Sequence, residues 1–322
     1  YGAVSPDGLH WETLDEPLIT NYFSDTQNVV GYDPRRGQYV AYVRGWTKFG
    51  IGALHGRRTI AHTASDEFAT TWPRPETIYS PDALDGPDTD IYTNAYTPWP
   101  DADAYLMFPA FYQRNADIVE IQMLTGRDGV GFERLTREPM APGGEPGTPS
   151  EGGYYAGSGL VSYRPDEVSL PISATWHTHN EGHYGETRTK GTHGGHWSTA
   201  TWRTDGFVSL EARDAGSFAT VPITFVGGRL TINAWTRFGG EISFELADAS
   251  SEHMGKFGQG VAAETATPVP GRSFEDCDAF TGDSTSHTVT WNGDSDISEW
   301  ANRPVRLRVR MGRARLYAIQ TV

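Results

Sequence analysis

Short runs of alternating apolar and polar residues, separated by polar turns, fill the first two thirds of the chain. Residues 28–32 and 38–43 form one such pair of runs, and residues 94–98 and 104–108 repeat it. Alternation with a period of two on either side of a short polar turn is typical of a β-hairpin. The pattern therefore predicts a hairpin at each of these places.

A weaker third copy of the hairpin runs from residue 153 to residue 170. The copies recur at intervals of about sixty residues, and no stretch between them carries the apolar stripe of an amphipathic helix. Repeated short strands at this spacing are typical of a β-propeller built from four-stranded blades. We therefore expect an all-β protein with propeller blades over residues 1–205.

The repeat ends near residue 206, and more closely spaced alternating strands follow. This spacing favours a β-sandwich over residues 206–322. The predicted strands are 207–211, 229–235, 241–248, 288–291, 304–311 and 314–321. On the strand before the last, Arg306, Arg308 and Arg310 alternate with aliphatic residues, so three cations face water or a partner surface. We expect a solvated face there rather than an anion site.

Turns with an aspartate before a glycine recur along the chain, the fullest copy being Ser-Pro-Asp-Gly at residues 5–8. Looser copies surround Asp66, Asp128 and Asp205. An aspartate in such a turn accepts hydrogen bonds from its own backbone, and the glycine takes up a positive φ. We therefore expect these turns to mark the blades and to take no part in chemistry.

Composition narrows the class of protein. The 322 residues include 37 Gly and 20 Pro, and both residue types disfavour long helices. Only 37% of the residues are hydrophobic, but aromatic residues make up 12% of the chain, and their large rings can fill a core. The 26 basic and 41 acidic residues give a net charge of −15, which repels nucleic acids and anionic membranes. No apolar stretch is long enough to span a bilayer. We expect a soluble protein, for which a secreted or periplasmic location is compatible.

Several features together resemble the five-bladed β-propeller glycoside hydrolases, which include the invertase-like and arabinanase-like enzymes. They are the blade-end turns, the strand starts at 25–28 and 90–94, and the predicted C-terminal sandwich. The resemblance implies an active-site funnel at the propeller axis that holds three carboxylates. Matched by position, these are Asp25, Asp90 (or Asp88) and Glu151. The chain departs from the invertase-like pattern because it has neither an Arg-Asp-Pro triplet nor a Glu-Cys pair.

Five blades of about sixty residues need more chain than residues 1–205 provide, which hold about three and a half blades. The chain also begins at Tyr1 rather than at a methionine, without a basic and apolar leader segment before the first polar turn, so we expect either that a leader was removed or that the sequence is part of a longer polypeptide. We therefore expect the first blades to be missing from this sequence, so that the propeller is open or is completed by residues outside it.

Cleavage of a glycosidic bond needs an acid that protonates the leaving oxygen and a second carboxylate that activates water or attacks directly. Glu151 follows a Gly/Pro-rich loop and precedes an aromatic strand start, a setting suited to the acid. Rings can stack on a sugar face, and amides or imidazoles can bond its hydroxyls. The residues expected to bind the sugar are Asn28, Tyr92, Asn94, Trp99, Tyr154 and His193. We therefore predict hydrolysis of a plant or algal poly- or oligosaccharide, with no cofactor required.

Half of the ten histidines lie in one short stretch that begins at His177. On a strand, His177 and His179 would point to the same face, where with Glu181 or Glu186 they can bind a divalent metal. A polar surface loop explains the same composition. Cys277 is the only cysteine, which excludes an intrachain disulfide and a multi-cysteine zinc site.

Two other functions fit the same pattern. A polysaccharide lyase abstracts the C5 proton of a uronic acid with His or Tyr, while Arg or a metal neutralises the sugar carboxylate. The residues available for this are Arg44, Arg57, Arg58, His177 and Tyr184. A propeller can also bind a glycan without cleaving it, which is favoured if the first-blade carboxylate is missing.

Overall fold

The computed structural model describes residues 1–48, 56–100, 102–144, 146–180, 195–249 and 267–322. This part of the chain consists of β-strands and turns, with one short 3₁₀ turn at Ser298–Trp300 and no α-helix. The frequent glycines and prolines account for this, since neither residue supports a long helix. The predicted all-β class is confirmed. None of the described segments is a helix long and apolar enough to cross a membrane.

The chain divides into two compact units. Unit 1 comprises Tyr1–Tyr163 and Val168–Thr201, and unit 2 comprises Arg164–Glu167 and Trp202–Val322. The boundary predicted after residue 205 lies close to the point where the chain passes from unit 1 to unit 2. Each unit has its own hydrophobic core.

The first meander of unit 1 is a four-stranded antiparallel sheet whose strands are neighbours in sequence order. Its strands are β3 (Val29–Asp33), β4 (Gln38–Trp46), β5 (Arg58–Ser65) and β6 (Glu76–Tyr79), and a small hairpin of β1 (Ala3–Val4) and β2 (Glu12–Thr13) precedes it. Tyr32 lies opposite Tyr39, and Gly31 lies opposite Val40. The first predicted hairpin is therefore confirmed.

The second meander has three long strands that are each interrupted once, followed by a short fourth strand. The first long strand consists of β7 (Thr89–Ile91) and β8 (Tyr96–Trp99), the second of β9 (Ala104–Met107) and β10 (Ala110–Gln113), and the third of β11 (Ile118–Ile121) and β12 (Leu124–Gly126). The fourth strand is β13 (Phe132–Glu133). A backbone hydrogen bond from Tyr92 to Ala110 continues the ladder through one interruption. Pro109 stands between β9 and β10, where it has no N–H to give to a ladder. Tyr96 lies opposite Met107, so the second predicted hairpin is confirmed.

The third meander contains β14 (Gly153–Ala156), β15 (Glu167–Thr175) and β16 (His196–Arg203), and a bridge from Val161 to Ser169 confirms part of the weaker third copy. β14 also pairs in parallel with β11, where Gly153 lies opposite Val119. Gly153 has a φ of +104°, and a Cβ there would lie 2.0 Å from the Val119 carbonyl oxygen. Only glycine permits this approach. Unit 1 thus consists of the meanders from which propeller blades are built, as predicted.

Two of the four predicted aspartate turns, at Asp7 and Asp128, cap themselves as the sequence predicts, whereas at residues 205–206 the positive φ, of +52°, belongs to Asp205 rather than to the glycine. Asp7 Oδ1 accepts hydrogen bonds from the backbone N–H groups of Leu9 and His10 at 2.8 Å each, and Gly8 has a φ of +75°. Asp128 closes its turn in the same way, at 2.7 and 2.9 Å. Their side chains are therefore occupied in holding turns.

Unit 2 contains one four-stranded antiparallel sheet in the order β17, β20, β18, β19. The strands are β17 (Leu210–Ala219), β18 (Leu230–Asp248), β19 (Asp283–Thr288) and β20 (Val305–Thr321). The predicted strands 229–235 and 241–248 are the two halves of β18, and 304–311 and 314–321 are the two halves of β20. The glycines between the halves suggest turns in the sequence, but the ladder continues past them through bulges.

Alternate side chains of the long strands form the core of unit 2. On β20 the buried positions are 305, 307, 309 and 311 before the bulge and 314 and 316 after it. The extra residue at Arg313, with a φ of +44°, keeps the same face toward the core. Trp291 lies in this core, and its Nε1–H donates to the Phe244 carbonyl at 2.9 Å. Cys277 packs against the same core, where burial raises the pKa of its thiol.

Candidate functional site

The starts of three meanders meet in unit 1. Gln27, just before β3, donates from Nε2 to the carbonyl oxygens of Asn94 and Ala156, at 3.2 Å each. Asn94 lies between β7 and β8, and Ala156 ends β14. This junction brings two of the predicted site residues, Asp25 and Tyr92, to one place, which we call the Arg44 site.

Arg44 on β4 is the centre of this site. Its side chain is 2% exposed, and it forms an ion pair with Asp25, whose side chain is 48% exposed. Its Nε and a terminal nitrogen donate to the Tyr92 carbonyl at 3.2 and 2.7 Å, and its guanidinium lies 4.2 Å from the Tyr92 ring centroid. A buried cation requires such partners, because the protein interior solvates its charge poorly. Arg44 therefore holds the accessible carboxylate of Asp25 in place.

Aromatic rings surround this ion pair. Phe23 is 56% exposed, and its ring lies 6.4 Å from that of Trp46. The Arg58 guanidinium lies 5.1 Å from the Trp46 ring and 5.0 Å from the Tyr92 ring. Such cation–π contacts fix the planes of both aromatic side chains.

Asp90 on β7 lies beneath this layer and is fully buried. Its carboxylate accepts hydrogen bonds from the Arg58 backbone N–H at 3.2 Å and from the Arg58 guanidinium at 2.5 Å. Arg114 Nε lies 3.9 Å away. The carboxylate is thus in contact with two arginines rather than with solvent, and it fixes Arg58 against Trp46 and Tyr92.

A network of tyrosines, a histidine and an aspartate adjoins Tyr92. His179 Nδ1 lies 2.6 Å from the Tyr155 hydroxyl, and the His179 ring lies 4.3 Å from that of Tyr92 and 4.8 Å from that of Tyr112. The Tyr112 hydroxyl donates to Asp117 Oδ1 at 2.7 Å. The same carboxylate accepts from the backbone and side-chain amides of Asn180, at 2.7 and 2.8 Å.

These surroundings determine the protonation states of Asp117 and Tyr155. Burial acts to raise the pKa of Asp117, but hydrogen bonds from Thr178, Tyr112 and Asn180 outweigh it and lower the pKa. Burial, followed by neighbouring tyrosines and Asp117, raises the pKa of Tyr155. Tyr155 therefore keeps its proton at neutral pH, and its hydroxyl is hydrogen-bonded to His179 Nδ1.

The other predicted catalytic residue, Glu151, lies in the loop before β14. Its Oε2 accepts a hydrogen bond from the Gly147 N–H at 2.7 Å, within the same loop. Its described hydrogen bonds connect it to that loop and not to the Arg44 site. The structure thus brings Asp25 to the cluster, places Asp90 beneath it and leaves Glu151 on a separate loop.

The predicted sugar-binding residues fall in different environments. Asn28 is exposed and accepts from Ser24 at 2.7 Å, whereas the Asn94 side chain is buried and has no hydrogen-bond partner among the described residues. Trp99 is buried at the end of β8. Tyr154 precedes Tyr155 on β14 and so points to the opposite face of the sheet. The remaining one, His193, lies outside the described residues.

The histidine pair lies beyond the strand on which it was expected. β15 ends at Thr175, so His177 and His179 do not alternate along a strand. Residues 1–48, 56–100, 102–144, 146–180, 195–249 and 267–322 contain no group of three or more His, Cys, Asp or Glu side chains placed to hold a metal ion. Glu181, Glu186 and Tyr184 lie outside these ranges, and metal binding at the histidines stays a prediction.

Sequence reasoning missed Tyr112, Asp117, Tyr155 and Asn180 as site residues. Asp117 belongs to the polar turn between β10 and β11, and Asn180 follows β15. Polar residues in such turns are common and give no signal of their own. Only the pairing of distant segments shows that they meet.

No protein-family model and no curated protein matches the chain. Among solved structures, an N-acetylgalactosamine deacetylase from F. plautii is similar, with 16% identity, a TM-score of 0.39, and coverage of 54% of this chain and 49% of that one. A GH32 β-fructofuranosidase from Bombyx mori shows 8% identity and a TM-score of 0.36, with 91% and 79% coverage. An exo-β-1,3-galactanase from Phanerochaete chrysosporium shows 9% identity and a TM-score of 0.30, with 98% and 88% coverage.

The chain spans about half the length of the deacetylase (49%). At these identities and TM-scores, the activities named for the similar structures do not carry over to this chain. Its function has to follow from the chemistry of its own residues.

Proposed function

We propose that unit 1 binds a poly- or oligosaccharide at the Arg44 site and hydrolyses a glycosidic bond there, with Asp25 as the carboxylate that acts on the sugar. The observation that supports this is the ion pair itself. Asp25 is half exposed, yet a buried arginine fixes its position. Catalytic carboxylates need both access to substrate and a defined orientation.

The surroundings of Asp25 suit a sugar. Phe23 is exposed and offers a ring for stacking against the apolar face of a pyranose or furanose, whereas the Tyr92 ring is already packed against the Arg44 and Arg58 guanidiniums. Asn28, which is exposed, has an amide that can bond sugar hydroxyls. A plant or algal origin of the glycan remains a prediction from the sequence.

The reaction requires a proton donor as well as Asp25. In this proposal Asp25 activates a water molecule or attacks the anomeric carbon. Glu151, the proton donor predicted from the sequence, is bonded within its own loop rather than to the Arg44 site, so its part in the reaction stays a prediction. Asp90 positions Arg58, which in turn supports the Tyr92 ring. Asp90 then acts as a positioning residue.

Replacing Asp25 with Asn tests the proposal. We expect the variant to release reducing ends from the cleaved glycan at least about 100-fold more slowly, because the reacting carboxylate is lost. A panel of neutral and acidic polysaccharides serves to find the substrate. Asp15→Asn removes the same charge at an exposed position and should keep the full rate.

Because Asp25 also balances Arg44, rates are compared at a temperature where circular dichroism shows each variant folded. Full activity in a folded Asp25→Asn variant would overturn the assignment of Asp25. Glu151→Gln examines the proton donor separately, and an unchanged rate there would remove Glu151 from the mechanism.

A polysaccharide lyase is the second candidate, and the contact between Tyr155 and His179 favours it. The pair lies beside Tyr92, and the Arg58 guanidinium lies 5.0 Å from the Tyr92 ring. Because Arg44 is enclosed and paired with Asp25, Arg58, whose side chain is 24% exposed, is the arginine that can meet a uronate carboxylate there. A lyase releases an unsaturated uronate that absorbs in the ultraviolet, whereas the products of a hydrolase do not contain this chromophore. Absorbance that rises with cleavage, and that is lost in His179→Ala, would establish the lyase in place of the hydrolase.

A further inference from the structure

The outer face of the sheet in unit 2 carries a groove that the proposed function does not use. The cavity has a volume of about 680 Å³ and lies over β17, β20 and β18. This volume falls within the range of small-molecule sites in proteins. On β18 and β20, Ile242, Phe244 and Met311 point to the core, so the residues between them face the groove.

The floor of the groove is made of small residues. Ala215 on β17 and Gly312 on β20 lie opposite each other, and Glu241 on β18 pairs with the other side of Gly312. The next row across the sheet is Ser217, Arg310 and Ser243. Small side chains in the first row leave space beside the long side chain of Arg310.

Arg310 differs from its two neighbours on the same face. Arg308 is paired with Glu245, and Arg306 donates to the Thr220 carbonyl. The Arg310 guanidinium instead stacks on the Phe274 ring, with its central carbon 3.9 Å from the ring centroid. Within the described part of the chain it has no carboxylate partner.

Stacking leaves the edge of a guanidinium free, and that edge carries its N–H donors. Phe274 therefore holds Arg310 in one plane without using its hydrogen-bonding capacity. Glu241 lines the same groove, and among the described residues it has no ion pair either. The groove thus presents a fixed cation, a carboxylate and two serine hydroxyls that are free to bind a ligand.

We propose that this groove binds a sugar residue that carries a carboxylate, a uronate, as a second glycan-binding site apart from the Arg44 site. The edge of Arg310 matches a carboxylate with two parallel hydrogen bonds. Glu241 accepts hydrogen bonds from sugar hydroxyls, and Ser217 and Ser243 can donate or accept. The choice of a sugar as ligand rests on the proposed function, whereas the choice of an anion rests on Arg310.

The charge of this face supports an anionic ligand. The whole chain carries a net charge of −15, which opposes anion binding over most of its surface. The outer face of β20 carries three arginines: Arg308 is paired with Glu245, Arg306 donates to a backbone carbonyl, and Arg310 has no carboxylate partner among the described residues. Arg310 therefore offers an anion a cation that is unpaired in the described part of the chain, beside an arginine that is already neutralised.

Titration of the full chain with trigalacturonate, followed by calorimetry, tests the proposal. We expect saturable binding that Arg310→Gln weakens roughly tenfold or more, because a charge-assisted pair of hydrogen bonds is lost. Arg229→Gln is the matched control, since it removes the same charge from an exposed position just before β18 and should change the affinity by less than about twofold. Galactotriose, which lacks the carboxylates, should bind at least about tenfold more weakly.

Equal affinity in wild type and Arg310→Gln, or no saturable binding of trigalacturonate, would overturn the proposal. Thermal unfolding shows whether Arg310→Gln is folded, and Glu241→Gln provides a second variant that should also weaken binding. Asp25→Asn separates the two sites: it should abolish hydrolysis while trigalacturonate still binds at Arg310. If hydrolysis survives in Asp25→Asn, the proposed function fails, while the Arg310 result stands independently.

Discussion

Asp25 and Asp90 each balance a buried or half-buried arginine, but only Asp25 does so at a surface open to solvent. The Arg44 cation is fully enclosed and needs a negative partner, so Asp25 has a structural reason to stay in one orientation. Asp90 has no access to solvent and orders Arg58 instead. At the scale of single residues, burial separates a carboxylate that can meet substrate from one that positions its neighbours.

The partly buried His62 on β5 links the protonation of a single side chain to the stability of the fold. Burial and, to a lesser degree, Arg36 lower the pKa of His62 to about 4 from 6.5. The unfolded chain binds a proton below pH 6.5 that the folded chain resists, so His62 makes the fold lose stability as the pH falls from 6.5 toward 4. Above pH 6.5 it has no such effect.

We therefore expect wild type to lose about 2 kcal/mol more of its unfolding free energy between pH 7 and about pH 4.5 than His62→Gln does. Urea unfolding of both proteins at the two pH values measures the difference. Equal losses in the two proteins would show that His62 is not held neutral in the fold.

At the scale of elements, the parallel contact between β11 and β14 joins the second and third meanders. It depends on Gly153, because the chain passes there with a positive φ against the carbonyl of Val119. The contact also brings Tyr155 on β14 toward Tyr92, the two rings lying 6.1 Å apart. The Tyr155 and His179 side of the site therefore depends on this strand pairing.

Gly153→Ala should lower the unfolding free energy by about 3 kcal/mol or more, since a Cβ would meet the Val119 carbonyl at 2.0 Å. Gly159→Ala is the matched control: Gly159 also has a positive φ, of +83°, but a Cβ there meets nothing within 4 Å. Only about 1 kcal/mol should be lost in the control. Urea unfolding of the two variants decides the point, and similar losses would contradict the role of close packing.

At the scale of the whole molecule, charge controls how copies of the chain interact. The net charge of −15 at pH 7 makes the molecules repel each other, and the isoelectric point lies near 5.0. We expect solubility to be lowest near pH 5 and light scattering to rise there, because repulsion vanishes when the net charge approaches zero. Scattering at pH 8 serves as the reference, and a flat profile from pH 8 to pH 5 would contradict this expectation.

The fold was largely predictable from the chain pattern. The first two hairpins, the self-capping aspartate turns and the all-β class follow from local alternation and turn chemistry, which act over a few residues. The sequence misled at the middle of β18 and β20, where glycines that look like turns are bulges in continuous strands. A bulge depends on the partner strand, which local sequence does not reveal.

The candidate site was predictable only in part. Asp25 and Tyr92 were expected at strand starts and do lie together, whereas Glu151 lies on a separate loop. Tyr112 and Asp117 belong to one hairpin, whereas Tyr155 and Asn180 come from a later part of the chain, and only the packing of these segments brings them together.

Local sequence specifies the all-β class, the first two hairpins and how strongly negative the molecule is, because these properties arise from each residue and its near neighbours. It does not specify the strand limits in unit 2, where 207–211 and 288–291 were expected and β17 and β19 span Leu210–Ala219 and Asp283–Thr288. Tertiary structure alone decided that Asp25 is accessible while Asp90 is enclosed, and that Arg310 stacks on Phe274 without a carboxylate partner. Burial and charge pairing depend on residues distant in the chain, so they exist only after the strands have packed.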